Sequence, residues 1–162
     1  MPSTSTVKHA GNRALRKGRV SITGQAYVVT TVTHDRRQIF SGFDIACAAS
    51  KTLSTPRLWP DAKLLAWVLM PDHVHLLIEL GQREPLALVV QRVKSITATV
   101  LRRFPDMPDR IWQRGYHDHA IREVEDMKAA ARYLVANPLR AGLAKDIGAY
   151  PFWDAIWLTS SP

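Results

Sequence analysis

The stretch Pro71-Asp72-His73-Val74-His75-Leu76-Leu77-Ile78-Glu79-Leu80 decides how the rest of the chain is read. An apolar run, Leu64 to Met70, comes before it, and Pro71-Asp72 is a turn signal. Two extended segments joined by so short a turn predict a hairpin of strands at Lys63–Met70 and His73–Glu79. Side chains alternate between the two faces of a strand, so His73 and His75 share one face and Val74 points into the other layer. Two imidazoles on one side of a rigid strand make half of a metal site. On spacing alone, two surface or hydrogen-bonded histidines are the more ordinary reading. A catalytic ion needs further protein donors, or waters and substrate oxygens, so the pair cannot by itself form a structural zinc cage.

Upstream, Ala26–Thr33 is rich in β-branched residues and predicts a strand. Ser41–Thr52 predicts a short helix capped near Ser41 or Asp44, and Pro56 and Pro60 then break the chain. Downstream, Leu86, Val89, Val90, Val93, Ile96, Val100, Leu101 and Phe104 recur at helical spacing, with Arg92, Lys94, Ser95, Arg102 and Arg103 largely elsewhere. One face of that helix packs on a sheet and the other is cationic. Alternation predicts a strand at His117–Arg122, followed by a helix from Val124 to Ala136, where Glu123, Glu125 and Asp126 suit the positive end of the dipole. Pro138 ends that helix near Asn137. Tyr133 and Asn137 stand four apart and so share a helical face, where a hydroxyl and an amide can meet the strand carrying the histidines. The order strand, helix, strand, strand, helix, strand, helix predicts an α+β, ferredoxin-like (split βαβ) fold, an antiparallel sheet with helices on one side. Residues 1–19 form a basic, weakly ordered arm, 20–148 the main domain and 149–162 an aromatic C-terminal tail.

Composition narrows the function. With 162 residues and 46% hydrophobic content, one domain with an ordinary core is expected. The formal charge of +8 and its distribution point to a polyanionic partner. Residues 1–37 carry seven Lys or Arg against the single acid Asp35, and residues 85–104 carry four against none. Arg13, Arg16, Lys17 and Arg19 of the arm, with Lys94, Arg102 and Arg103 of the basic helix, are therefore candidate nucleic-acid contacts. A solvated basic surface is the alternative. Trp112, Trp153 and Trp157 are candidates to stack on unpaired bases, or else to pack in the core. Cys47 is the single cysteine, which excludes an internal disulfide and any multi-cysteine zinc motif. Neither a secretory leader nor a run of membrane-spanning length is present, so no membrane partner and a cytoplasmic location are expected.

Four blocks, in order, carry a resemblance: Gly24-Gln25-Ala26-Tyr27-Val28-Val29-Thr30, Trp67 to Leu77 around Pro71-Asp72-His73-Val74-His75, Ile111-Trp112-Gln113-Arg114-Gly115-Tyr116-His117-Asp118-His119-Ala120-Ile121-Arg122, and Tyr133-Leu134-Val135-Ala136-Asn137-Pro138-Leu139-Arg140-Ala141-Gly142-Leu143. Together they make the chain resemble the single-tyrosine HUH transposases, specifically the REP-associated tyrosine transposases of bacteria. The resemblance implies a metal-dependent endonuclease and strand-transferase acting on single-stranded DNA with a palindromic hairpin. In that reading His73 and His75 match the metal-binding pair and Tyr133 matches the nucleophile that forms a 5′-phosphotyrosine. Asn137 falls at the polar metal-site position, where relatives sometimes carry glutamine, and His119 is a site neighbour. The implied cofactor is a divalent metal, Mg²⁺ or Mn²⁺. The partner is single-stranded or hairpin DNA, the protein acts as a monomer rather than a homodimer, and it is associated with the bacterial nucleoid. Imidazoles of ordinary pKa would lose their metal below about pH 6. A non-catalytic nucleic-acid-binding regulator on the same scaffold is the alternative, and Tyr133 with the histidine pair separates the two.

Overall fold

A computed structural model of the chain describes residues 22–158. The arm residues Arg13, Arg16, Lys17 and Arg19 lie outside the described residues. Strand β1 (Ala26–Val32) is followed by helix α1 (Phe43–Leu53), the hairpin β2 (Lys63–Met70) and β3 (His73–Glu79), and helix α2 (Leu86–Leu101). Strand β4 (His117–Ile121), helix α3 (Val124–Val135), the one-turn helix α4 (Asn137–Arg140) and a short strand β5 (Trp153–Ala155) complete the order. The strands form one sheet in the order β4-β1-β3-β2-β5, and every pairing is antiparallel. The first four strands and two helices reproduce the split βαβ arrangement expected from the sequence.

The sheet has two buried faces. On one, Tyr27, Val29, Trp67, Leu69, Val74, Leu76 and Ile78 pack with Ala46, Ala49 and Leu53 of α1 and Val89, Val90, Val93 and Leu101 of α2. Several of these are fully enclosed, and each such aliphatic side chain contributes roughly 1.5–3 kcal/mol of burial. On the other, Ala26, Ala66, Val68, Met70 and Leu77 pack with Ala131 and Leu134 of α3. The expectation of helices on one side thus holds for α1 and α2 and is corrected for α3. The physical reason is visible in β2, whose residues Leu65 to Met70 are all buried. A strand apolar on both faces must be covered on both.

Smaller differences have local causes. Helix α1 starts after Gly42 with no side-chain cap, rather than at Ser41 or Asp44. Pro138 does end α3, but the chain re-enters a helical turn at once with Pro138 near its start, where the missing N–H costs nothing. The aromatic segment near the C-terminus adds an edge strand. Leu69 N–H donates to Phe152 O at 2.9 Å, and Tyr150 Oη donates to Leu69 O at 2.5 Å. Trp112 is a core residue, 8% exposed, and its Nε1 donates to Thr97 Oγ1 at 3.0 Å, so it is not available to stack on a base. Among the described residues no helix is long and apolar enough to cross a membrane.

Candidate functional site

The register places the site. Val68, His75, Thr30 and His117 form one row across β2, β3, β1 and β4, and Leu77, Val28 and His119 belong to the next. All of these side chains project to the face that α3 covers. Helix α3 lies mainly over β2 and β3, so the β1–β4 half is left as a cleft of about 700 Å³. Val28, Thr30 and His75 form its floor, His117, Asp118 and His119 one wall, and Ala129, Ala130, Tyr133, Leu134 and Asn137 the other. The structure therefore brings Tyr133, His75, Asn137 and His119 together from four elements, α3, β3, α4 and β4.

His73 and His75 turn their rings toward each other, with Nε2 to Nε2 at 3.1 Å. Each Nδ1 is held from behind. His73 Nδ1 lies 2.5 Å from Asp72 Oδ1, and His75 Nδ1 lies 2.7 Å from Thr30 Oγ1. Asp72 is itself anchored. Arg36 Nη1 donates to its other oxygen at 3.3 Å, from a turn in which Asp35 (φ 55°) and Arg36 (φ 50°) adopt left-handed backbone. Such a conformation costs non-glycine residues energy and persists only when the surroundings hold it. Here Thr33 N–H donates to Asp72 O at 2.9 Å and locks that turn onto the hairpin. Partial burial pushes the Asp72 carboxyl up, but the hydrogen bond and charge of His73, followed by those of Arg36, outweigh it and hold it below the usual carboxylate range. Burial lowers the His75 ring to a pKa of about 4, with the charges of His73 and Arg140 adding to the effect. His75 thus stays neutral well below the pH expected of an ordinary imidazole.

The donor set fits a divalent cation. Neighbouring nitrogen ligands on an ion bound at about 2.0–2.1 Å lie roughly 3 Å apart, close to the spacing of the two Nε2 atoms. The oriented second ring nitrogens are the usual support of metal-binding histidines. Among the described residues no cluster of three or more His, Cys, Asp or Glu side chains could hold an ion, so a third protein donor must be another residue type. Asn137 lines the same cleft as His75, and its Nδ2 donates to Leu134 O at 2.9 Å, so its amide oxygen is not engaged by that bond.

Tyr133 is 68% exposed at the rim. The guanidinium of Arg140 lies 3.7 Å from the centre of its ring, and Arg140 Nη2 donates to Tyr133 O at 2.7 Å. Sequence reasoning missed Arg140, although it stands seven residues, about two helical turns, after Tyr133. It also gave no role to Thr30 or His117, which only strand pairing brings to the site, nor to Asp72, whose signal was its place beside His73.

The candidate DNA-binding residues Lys94 on α2 and Arg102 and Arg103 just beyond its C-terminal end are not brought to the cleft, because α2 packs on the opposite sheet face. Lys94 Nζ donates to Gln113 O at 2.6 Å and Gly115 O at 2.9 Å, fastening the loop that leads into β4. Arg102 Nη2 donates to Asp109 O at 3.2 Å, and Arg103 is exposed.

Residues 21–137 match the family described as "Transposase IS200 like". A Haemophilus influenzae protein provisionally named a REP-associated tyrosine transposase is 24% identical over 141 residues, covering 80% of this chain and 78% of its own. The REP-associated tyrosine transposase of Escherichia coli is 27% identical over 89 residues, covering 54% and 50%. A solved REP-associated tyrosine transposase bound to a REP hairpin superimposes with a TM-score of 0.66 at 23% identity, covering 83% of this chain and 79% of that one, which shows a shared fold. With its sheet, its cleft and a family match across most of its length, the chain belongs to the IS200-like transposases.

Proposed function

We propose that the protein is a metal-dependent endonuclease and strand-transferase for single-stranded DNA, recognising a palindromic hairpin and cutting through a 5′-phosphotyrosine on Tyr133. Membership of a transposase family implies a DNA-cleaving enzyme. The observation that carries the finer reading is the joint lining of one cleft by Tyr133, His75 and Asn137, with His73 Nε2 against His75 Nε2. A structurally similar transposase bound to a REP hairpin supports hairpin DNA as the partner.

In this reading Tyr133 Oη forms a bond to the scissile phosphorus and gives up its proton, while the bond to the 3′ oxygen breaks and that oxygen leaves as a hydroxyl. One phosphoester replaces another, so rejoining needs no external energy source. His73, His75 and the Asn137 oxygen would hold the divalent ion, with Asp72 and Thr30 orienting the two rings. Bound there, Mg²⁺ or Mn²⁺ would supply Lewis-acid polarisation of the phosphate and stabilise developing charge. Arg140 keeps the Tyr133 ring at the rim and presents a fixed positive charge to the incoming phosphate. His119 lines the wall as a neighbour. The arm cations Arg13, Arg16, Lys17 and Arg19 hold the DNA backbone. A strand that also reached Lys94, Arg102 or Arg103 would have to pass round the sheet, since α2 lies on its far side.

The test is to incubate the protein with end-labelled hairpin DNA carrying a single-stranded flank, with Mn²⁺ or Mg²⁺ and with chelator. Expected are a free 3′-hydroxyl fragment and a denaturation-resistant adduct on the 5′-phosphate side, both abolished by chelator. Binding without any cutting would favour a non-catalytic regulator. Cutting without an adduct would point to an activated water in place of Tyr133.

A further inference from the structure

Four groups lie in series: Thr30 Oγ1, His75, His73 and Asp72, at 2.7, 3.1 and 2.5 Å. An ionised carboxylate can only accept, so the Asp72 end requires a proton on His73 Nδ1. With both rings neutral, His73 Nε2 is then a bare acceptor. The contact between the two Nε2 atoms is a hydrogen bond only if His75 carries its proton on Nε2. His75 Nδ1 must in turn accept, and the Thr30 hydroxyl must donate to it. The resting chain therefore runs one way, from Thr30 to Asp72.

That arrangement cannot hold a cation. Both Nε2 lone pairs have to be available, so His75 must give up its Nε2 proton and take one at Nδ1, with no net change in its protons. A proton at Nδ1 then needs an acceptor at the position Thr30 occupies. A hydroxyl is both donor and acceptor and turns about one bond, so Thr30 can reverse its role without moving its oxygen. No carboxylate and no amide nitrogen could serve both states.

We propose that Thr30 is a positioning residue whose hydroxyl keeps His75 in its Nε2–H tautomer when the site holds no ion and reverses to accept from Nδ1–H when an ion binds. This rests on the metal role given above to the histidine pair. It also explains why the pair is partnered by two different groups: Asp72 fixes one ring in a single tautomer, and Thr30 lets the other change.

The experiment uses the full chain with labelled histidines at about pH 8, where the same spectrum also reads the charge of each ring. Nitrogen NMR of the chelated protein reads the tautomers directly. Expected are His73 protonated on Nδ1 and His75 on Nε2, with His75 changing to Nδ1–H on Mn²⁺-free titration with Mg²⁺ or Zn²⁺, which do not broaden the signals by paramagnetism. Calorimetry then compares divalent affinity among variants. Thr30→Val keeps the β-branched shape and removes the hydroxyl, and the loss of such a supporting partner is expected to weaken affinity about 10- to 100-fold. Thr30→Ser restores the hydroxyl and the affinity. A metal-free His75 carrying its proton on Nδ1, or Thr30→Val binding as tightly as wild type, would overturn the proposal. Should wild type bind no divalent ion, the metal reading falls and the reversal with it, while the spectrum still reports whether Thr30 sets the resting tautomer.

Discussion

Replacing Tyr133 by Phe deletes one oxygen from a side chain that is 68% exposed. Among the described residues that hydroxyl makes no hydrogen bond. The ring keeps its place, because the Arg140 guanidinium 3.7 Å above its centre is attracted by the aromatic face and not by the hydroxyl. The stacking is worth about 0.5–1 kcal/mol at an exposed position and survives in Phe. Stability should therefore change by no more than about 0.5 kcal/mol, as for other surface substitutions, which in a chain of this size is within about 2 °C of Tm. Tyr133→Ala, which discards the ring, should cost roughly a further 0.5–1 kcal/mol. The chemistry separates sharply from the folding. Without that oxygen no phosphotyrosine can form, so cleavage should vanish while hairpin affinity is kept. The assay pairs urea melts with end-labelled DNA on denaturing gels, and mass spectrometry locates the adduct peptide. Two other tyrosines are poor substitutes, since Tyr27 is 6% exposed and Tyr150 Oη is committed to Leu69 O at 2.5 Å. Cleavage by Tyr133→Phe at the wild-type rate, or an adduct mapped to Tyr116, would refute the reasoning.

Three further outcomes are expected. His73→Ala or His75→Ala should abolish cleavage and leave hairpin affinity nearly unchanged, because Lys and Arg bound to phosphates dominate the affinity; full cleavage by either variant in metal-replete buffer would exclude the pair. His75 has a folded pKa of about 4 against an ordinary 6.5, so the unfolded chain binds the extra proton between those values. Its contribution is complete above about pH 6.5 and is lost as pH falls toward about 4, by at most about 3 kcal/mol. Urea midpoints of the chelated wild type should fall relative to those of His75→Gln as pH drops across that range; a pH-independent difference would contradict the assignment. Deleting residues 8–19 should weaken DNA binding and lower the slope of log K against log salt by about 0.7–0.9 for each phosphate the arm neutralises, and an unchanged slope would exclude the arm.

The elements themselves were legible from local pattern. Strands β2 and β3 begin and end where the apolar run, the Pro71-Asp72 turn and the His-Val-His alternation place them. Alternation alone also put His73 and His75 on one face, and helical spacing put Tyr133 and Asn137 on one side of the same region. The sidedness of α3 was misread although its signal was present, for the unbroken apolar run Leu64 to Met70 is what a strand covered on both faces requires. The segment at Trp153–Ala155 read as a tail because three residues carry too little alternation to announce a strand.

What a sequence determines unaided is whatever depends on near neighbours: periodicity, turn chemistry, and the shared face of residues two or four apart. The shared strand face of His73 and His75 and the shared helical face of Tyr133 and Asn137 belong to that class, while the roles expected of them came from the resemblance to a family. Tertiary structure alone decided their surroundings. Thr30 meets His75 across 45 residues, through an antiparallel register in which a one-residue slip would turn its hydroxyl to the other sheet face. Arg36 reaches Asp72 across 36 residues, from a left-handed turn held by Thr33. Register and layer assignment arise from the sum of many long-range interactions, and no local stretch of this chain encodes them. The candidate residues were therefore legible in the sequence, and the groups that contact and orient them were supplied by the fold.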